Sequence, residues 1–353
     1  MRLFVTDCEG PVSKNDNAME LAAQFVPQGE RFFALVSKYD DYLAYVEKRA
    51  GYKAGDTLRL ILPFLKAYGA TDSLIEEYSR DHILLMPGAK ETLRYIMTMM
   101  PGFMISTSYE PYIKALCAVI DFPFENAYCT KLQLDHYPLP REEQNYLRTV
   151  KEEITSMEMI EWDEGAQGLN DLLPATKRVV LRLNEIFWDE ISHMKIGRIM
   201  QEVDPIGGEG KAAVLQEIVR NTGNDLTDVC YVGDSITDLQ ALQKVKGGGG
   251  LAVSFNGNAY AIQAAQVVCV GENTGIISVL AYLFAKGGAV SVLALLPNWG
   301  EETLRLTGVG EDLLRQLSAA EAAEVTPKNQ ALWTEKSQRI RREVRGVQIG
   351  SLG

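Results

Sequence analysis

Two acidic residues follow the first apolar run of the chain, and their spacing raises a question of charge. The run "LFVT" leads directly into Asp7, Cys8, Glu9 and Gly10. Carboxylates two positions apart repel each other when they are packed close together, so nearby cations must offset them. Carboxylates can ligate Mg²⁺, attack an electrophile or move a proton. Which of these they do depends on the groups that the fold brings to them.

Residues suited to phosphate chemistry follow later apolar runs. Ser106 and Thr107 lie in "FMISTSYEP", Lys211 opens the helix-like segment "GGEGKAAVL", and Asp234 and Asp238 lie in "YVGDSITDL". Each is common on its own, as a turn residue, a helix cap or a solvated lysine. The informative signal is that they occur together, in this order, each at a predicted strand end or helix start.

Five apolar runs predict the strands that would position these residues. They alternate with helix-like segments, so the sequence predicts an α/β fold with a doubly wound parallel sheet. In such a sheet the carboxyl ends of the strands meet in one crevice, so distant residues can share a site. The runs are "RLFVT" (2–6), "GFMIS" (102–106), "DVCYVG" (228–233), "GLAVSF" (250–255) and "QVVCV" (266–270).

Two long stretches interrupt this alternation, and both have apolar residues at helical spacing. We interpret them as insertions over one end of the sheet. In the tail, "EDLLRQLSAAEAAEV" predicts a helix and "KSQRIRREVR" a solvated basic face. The predicted division is a core at 1–12, 86–134 and 206–290, a helical cap at 13–85, a second helical insertion at 135–205 and a helical tail at 291–353.

Composition excludes several classes of protein. The 353 residues carry a net charge of −12, which disfavours a nucleic-acid binder because such proteins need a basic face. The five cysteines are scattered without a CxxC pair, so we expect reduced, buried thiols in a cytoplasmic protein. No signal peptide is expected. The apolar stretch 276–297 predicts a core helix, a Gly-Gly break and a second apolar element, since Lys286 disfavours a membrane span.

The ordered motifs resemble the haloacid dehalogenase superfamily, and specifically its phosphatase-like branch. That family combines a strand ending in DxD with a following glycine, a strand ending in Ser or Thr, a lysine, and a strand ending in GDxxxD. The resemblance covers roughly 1–12, 86–134 and 206–285. The opening "DCEGPVSKNDNAMEL" is also similar to an archaeal branch named energy-converting hydrogenase A subunit R.

The resemblance implies a role for each matching residue. Asp7 would attack phosphorus and ligate Mg²⁺, together with the backbone carbonyl of Glu9 and the side chain of Asp234. Asp238 would orient Lys211 or a metal-bound water. Phosphate would be held by Lys211 and by two residues of the second strand, Ser106 and Thr107.

Glu9 departs from the family pattern, which has Asp as the general acid and base at this position. Glu is one methylene longer than Asp, and proton transfer requires close approach of the two heavy atoms. We therefore expect this change to affect the rate and type of reaction more than metal binding. The main hypothesis is a phosphatase for a small phosphorylated metabolite. One alternative is a catalytically weak or inactive protein of binding or assembly, with a second copy or a hydrogenase-related protein as partner. The other is a phosphomutase. Dehalogenation is disfavoured by the GDxxxD segment.

Overall fold

A parallel β-sheet forms the centre of the molecule. The computed structural model describes residues 1–163, 165–317 and 320–346, and the sheet has seven strands within those ranges. The five predicted strands are all present. The strands are β1 (Leu3–Thr6), β2 (Gly102–Tyr109), β3 (Ala127–Thr130), β4 (Val229–Gly233), β5 (Leu251–Phe255), β6 (Val267–Val270) and β7 (Glu321–Glu324).

The strand order places the predicted site residues at neighbouring positions. The order is β3-β2-β1-β4-β5-β6-β7; adjacent strands are parallel except that β7 pairs antiparallel with β6. Val5 of β1 pairs with Phe103 of β2 on one side and Tyr231 of β4 on the other. The carboxyl ends of β2, β1 and β4 therefore lie side by side, at the point where the chain reverses the direction in which it adds strands.

Helices cover both faces of the sheet, which confirms the doubly wound α/β prediction. Apolar residues of the helices at Ala89–Met97, Glu110–Ile120 and Gly275–Leu295 pack on one face. Those of the helices at Glu209–Thr222, Leu239–Gly247 and Ala259–Ala264 pack on the other. The helices of the described ranges are α1 (Asn17–Phe25), α2 (Gly29–Asp41), α3 (Thr57–Ala67), α4 (Asp72–Asp81), α5 (Ala89–Met97), α6 (Glu110–Ile120), α7 (Arg141–Ser156), α8 (Pro174–Asn184), α9 (Arg198–Glu202), α10 (Glu209–Thr222), α11 (Leu239–Gly247), α12 (Ala259–Ala264), α13 (Gly275–Leu295), α14 (Glu301–Leu306), α15 (Glu311–Arg315) and α16 (Gln330–Arg345).

The two inserted stretches share one apolar core. Segment 13–85 supplies α1 to α4 and segment 135–205 supplies α7 to α9, and buried residues of both belong to a single cluster. The Tyr39 ring stacks on Phe187 across the two stretches, with 5.8 Å between the ring centroids. Phe64 also contacts Phe187, edge to face, at 6.1 Å. The insertions therefore form one helical layer rather than two separate ones.

Helix α13 contains the break that the Gly-Gly pair predicted. Gly288 has φ 70° and ψ −173°, which interrupts the helix, and Arg2 donates a hydrogen bond to the carbonyl of Ala285 at the kink. The segment Gly275–Asn298 is the one helical stretch, among the described residues, that is long and apolar enough to cross a membrane. Its first half packs on the sheet.

The tail differs from its helical prediction. A helix was expected over 311–325, but α15 ends at Arg315, and Glu321–Glu324 form edge strand β7. The segment "EAAE" lacks the apolar run that marks the buried strands, because an edge strand is covered on fewer sides. Residues 318, 319 and 347–353 of the predicted tail lie outside the described residues. All five cysteines are buried and unpaired, as expected.

Candidate active site

A buried lysine joins two of the predicted carboxylates. Lys211, near the start of α10, lies with its Nζ 2.7 Å from Asp7 Oδ2 and 2.8 Å from Asp238 Oδ1. Tyr231 donates a hydrogen bond to the same Asp238 oxygen over 2.7 Å. The backbone N–H groups of Asp234 and Ser235 donate to the other Asp238 oxygen. Asp238 is therefore fully engaged in positioning Lys211 and the loop after β4.

The structure brings three acidic side chains close enough together to ligate one metal ion. Single carboxylate oxygens of Asp7, Asp234 and Asp238 all lie within 4.8 Å. Gly10 lies directly against the Asp234 carboxylate, and a Cβ at that glycine would be 2.3 Å from it. With φ of 103°, Gly10 also has a backbone conformation that other residues rarely adopt. The close approach of Asp234 therefore explains why a glycine follows Asp7 and Glu9.

The pKa values of Asp7 and Asp238 are set by burial and by the charged groups beside them. Burial raises the pKa of Asp7 well above its usual range, and the Asp238 and Asp234 charges add to this, while Lys211 opposes it. Burial would also raise the pKa of Asp238, but Lys211 and the Tyr231 hydroxyl outweigh it and lower that pKa. A cation placed beside Asp7 would favour its ionised form.

Glu9 lies on the same loop but points toward the helical layer. Its Oε1 accepts a hydrogen bond from the backbone N–H of Asn17 in the first turn of α1, over 2.7 Å. Burial raises the pKa of Glu9 to about 8, and the charge of Asp16 adds to this, although the Asn17 bond and Arg345 act in the opposite direction. The raised pKa favours the protonated carboxyl near neutral pH, which is the form that a general acid needs.

The two hydroxyl residues of β2 occupy different environments. Ser106 is buried, and its Oγ accepts a hydrogen bond from the backbone N–H of Ser108. Thr107 lines the cavity above the sheet, and its hydroxyl donates to the carbonyl of Ile206. The strand was expected to end at Ser106 but continues to Tyr109, with irregular pairing between Ile105 and Tyr109.

A cavity of about 130 Å³ lies between the sheet and the helical layer, directly above these residues. Asp7, Glu9, Thr107 and Asp234 line its floor. Segment 13–85 forms the opposite wall through residues of α1, α2 and α3. The Tyr45 hydroxyl donates to the carbonyl of Ile236, in the loop after Asp234, over 3.0 Å. The helical layer thus contacts the loop after β4 beside the cavity.

Two arginines of α16 enter the site, and the sequence analysis missed them. Arg341 and Arg345 both donate hydrogen bonds to Asp234 Oδ2, with side chains 5% and 6% exposed. The expectation of a solvated face for "KSQRIRREVR" is wrong for these two residues. They are four positions apart and so share one helix face, but that spacing does not reveal which acidic group they meet.

The residues of the site suit a hard divalent cation. Asp7, Asp234 and the carbonyl of Glu9 offer the oxygen ligands that Mg²⁺ prefers. Of the two carboxylate oxygens of Asp234, the arginines engage only Oδ2, and Oδ1 has no hydrogen bond from the described residues. The donor set therefore fits the cation, and Oδ1 is the Asp234 oxygen most suited to bind it.

Comparison with known proteins supports the fold over the whole chain. No protein-family model and no curated protein matches it. Among solved structures, gene product AF1437 from Archaeoglobus fulgidus is similar with a TM-score of 0.82 and 27% identity, over 100% of this chain and 99% of that one.

More distant similarities are to phosphatases and hydrolases. A phospho-aspartyl intermediate analogue of phosphoserine phosphatase has a TM-score of 0.45 and 14% identity, over 80% of this chain and 98% of that one. A HAD family hydrolase from Salmonella enterica serovar Typhi has a TM-score of 0.41 and 11% identity, over 72% and 62%. Of these similarities, the whole-length similarity to the archaeal protein bears on the fold.

Proposed function

We propose that the chain is a cytoplasmic, Mg²⁺-dependent phosphohydrolase of the haloacid dehalogenase superfamily, acting on a small phosphorylated metabolite. The observation that carries this proposal is the buried contact of Lys211 with both Asp7 and Asp238, beside Asp234. Ion pairs on a protein surface remain exposed, whereas charged side chains are costly to bury unless they are paired. The burial of Lys211 with both carboxylates therefore distinguishes this contact from a surface ion pair. The cavity volume of about 130 Å³ supports a small substrate.

In the proposed first step, a carboxylate oxygen of Asp7 attacks the phosphorus of a phosphate monoester. A new bond forms between that oxygen and phosphorus, the ester P–O bond breaks, and Glu9 gives its proton to the departing oxygen. Lys211 stays against Asp7 and balances the negative charge that collects on the phosphoryl oxygens. Thr107, which lines the cavity, would border that group, and Ser106 precedes it on the same strand.

In the second step, water replaces Asp7. Glu9, now ionised, takes a proton from the water, whose oxygen attacks phosphorus while the bond to Asp7 breaks. Inorganic phosphate leaves, and Asp7 is again a carboxylate. Mg²⁺, held by Asp7, Asp234 and the carbonyl of Glu9, would supply positive charge that lets the anionic phosphate approach Asp7.

The test is a screen of phosphorylated metabolites and p-nitrophenyl phosphate in Mg²⁺ buffer, with Asp7→Asn as the blank. We expect at least one substrate to be hydrolysed and Asp7→Asn to lower kcat by about 10³-fold or more, because a carboxamide is a poor nucleophile. Asp189→Asn is the matched control, since Asp189 is exposed on the helical layer. Equal turnover by wild type and Asp7→Asn would contradict the proposal.

A second measurement does not depend on knowing the substrate. Ligands that bind only the folded protein raise its unfolding temperature. We expect Mg²⁺ together with orthovanadate to stabilise the wild-type protein, and Asp234→Asn to lose the Mg²⁺-dependent part of that shift. A protein used only for binding or assembly would show no shift with these ligands.

A further inference from the structure

Helix α16 is anchored next to the candidate active site by contacts along its length. Ser337 is fully buried and donates a hydrogen bond to the carbonyl of Gly257 over 2.7 Å. Ile340 is buried, and Lys336 forms an ion pair with Glu321 of β7. Arg341 and Arg345 therefore lie on a helix that is packed against the rest of the protein.

The two arginines use their donors differently. Arg345 has each guanidinium nitrogen engaged: Nε donates to the carbonyl of Lys14, Nη2 to the carbonyl of Asn15, and Nη1 to Asp234. Among the described residues, Arg341 donates through Nη1 alone, to the carboxylate and the carbonyl of Asp234. Its Nε is buried and has no hydrogen-bond partner among the described residues. Arg345 thus holds the helix in place, and Arg341 has donor capacity to spare.

Arg341 lies on the wall of the same cavity as Asp7 and Thr107. Its Nε has almost no accessible surface, so a ligand in the cavity would meet the Nη2 donors, which bond to none of the described residues. A guanidinium presents five N–H donors in a planar fork, so it can keep its contact with Asp234 and still bind an anionic oxygen. The phosphoryl oxygens of a ligand above Asp7 are anions that would enter this cavity.

We propose that Arg341 is a substrate-binding residue that contacts the phosphoryl oxygens, and that Arg345 positions it by fastening α16 to the loop after β1. This inference rests on the proposed function, because it takes the phosphoryl group as the ligand of the cavity. It assigns part of the phosphate site to the C-terminal helix, which lies outside the motifs that identified the other site residues. Arg341 also supplies a positive charge beside Asp234.

The experiment measures binding of inorganic phosphate and of orthovanadate to the full chain by isothermal titration calorimetry, with and without Mg²⁺. We expect Arg341→Met to weaken both by about tenfold or more, the loss typical of a charge-assisted hydrogen bond. Arg342→Met is the matched control: Arg342 is exposed on the same helix, so this variant should bind as wild type does. Arg341→Lys keeps the charge without the fork and should give an intermediate affinity.

The outcomes separate this inference from the proposed function. Wild-type affinity in Arg341→Met, in a protein that binds phosphate and needs Asp7 for turnover, overturns the role of Arg341 and leaves the phosphohydrolase proposal intact. Failure of the wild-type protein to bind either anion overturns both. If Arg341→Met does not fold, Arg341→Lys decides the matter, and wild-type affinity in that variant overturns the inference.

Discussion

Glu9, which is one methylene longer than Asp, makes a hydrogen bond with the helical layer. The extra methylene lets the carboxyl reach the backbone N–H of Asn17 in the first turn of α1, where the helix dipole favours an acceptor. A glutamate here therefore links the loop after β1 to the helical layer. The proton donor of the proposed reaction is thus attached to the element that closes the cavity.

Replacing Glu9 by Gln separates its proton from its hydrogen bond. The amide oxygen can still accept from Asn17, but the side chain has no acidic proton to give or take. We expect kcat for a substrate with a poor leaving group to fall about 10²-fold or more, which is the usual contribution of general acid and base catalysis. Calorimetry should show little change in Mg²⁺ affinity, because the expected ligand is the carbonyl. A kcat close to wild type would show that another group moves the proton.

Residue types and spacing were sufficient to predict the convergence of Asp7, Lys211, Asp234 and Asp238. Each follows a buried parallel strand or opens a helix, and a parallel sheet gathers those positions at one edge. Arg341 could not be found this way, because its place depends on where α16 docks. Docking is decided by contacts such as Ser337 with Gly257, between segments 80 positions apart.

At the scale of the element, the buried strands were readable because they are covered on both faces and so consist of apolar runs. The short edge strand β7 has no such run and was taken for helix. In helix α13, by contrast, the sequence alone was sufficient to predict a local feature. Its Gly-Gly pair predicted a break, and Gly288 has a backbone conformation that is open almost only to glycine.

The kink in α13 gives a prediction about stability. Alanine at Gly288 would be strained at φ 70°, and its Cβ would lie 3.3 Å from the Arg2 guanidinium. We expect Gly288→Ala to lower the free energy of unfolding by about 1–3 kcal/mol in urea denaturation. Gly247→Ala is the control: a Cβ at that position, at the end of α11, would have open space. That variant should be as stable as wild type or more so. Equal stability of Gly288→Ala and wild type would mean that the kink is not needed.

At the scale of the whole molecule, the helical layer buries several carboxyl groups in addition to those of the acidic cluster. Burial raises the pKa of Asp40 to about 7, and the neighbouring Asp41 adds to this; burial also raises the pKa of Asp41 to about 6 and that of Glu20 to about 7. The folded protein therefore binds more protons than the unfolded chain between about pH 4 and pH 7. The stability that these groups contribute is complete below the unfolded pKa values and is lost as the pH rises through the folded ones.

We therefore expect the protein to be less stable at pH 8 than at pH 5.5 when both are measured in EDTA. A difference on the order of 1 kcal/mol or more would lower the unfolding midpoint by about 1 °C or more for a chain of this length. Asp40→Asn should reduce this difference, because its amide oxygen can still accept from Gly55 and Thr57 but cannot ionise. Asp81→Asn, at an exposed position, should keep the full difference. General repulsion at a net charge of −12 would affect all three proteins alike, so an undiminished pH dependence in Asp40→Asn would assign the effect to overall charge and not to the buried carboxyl.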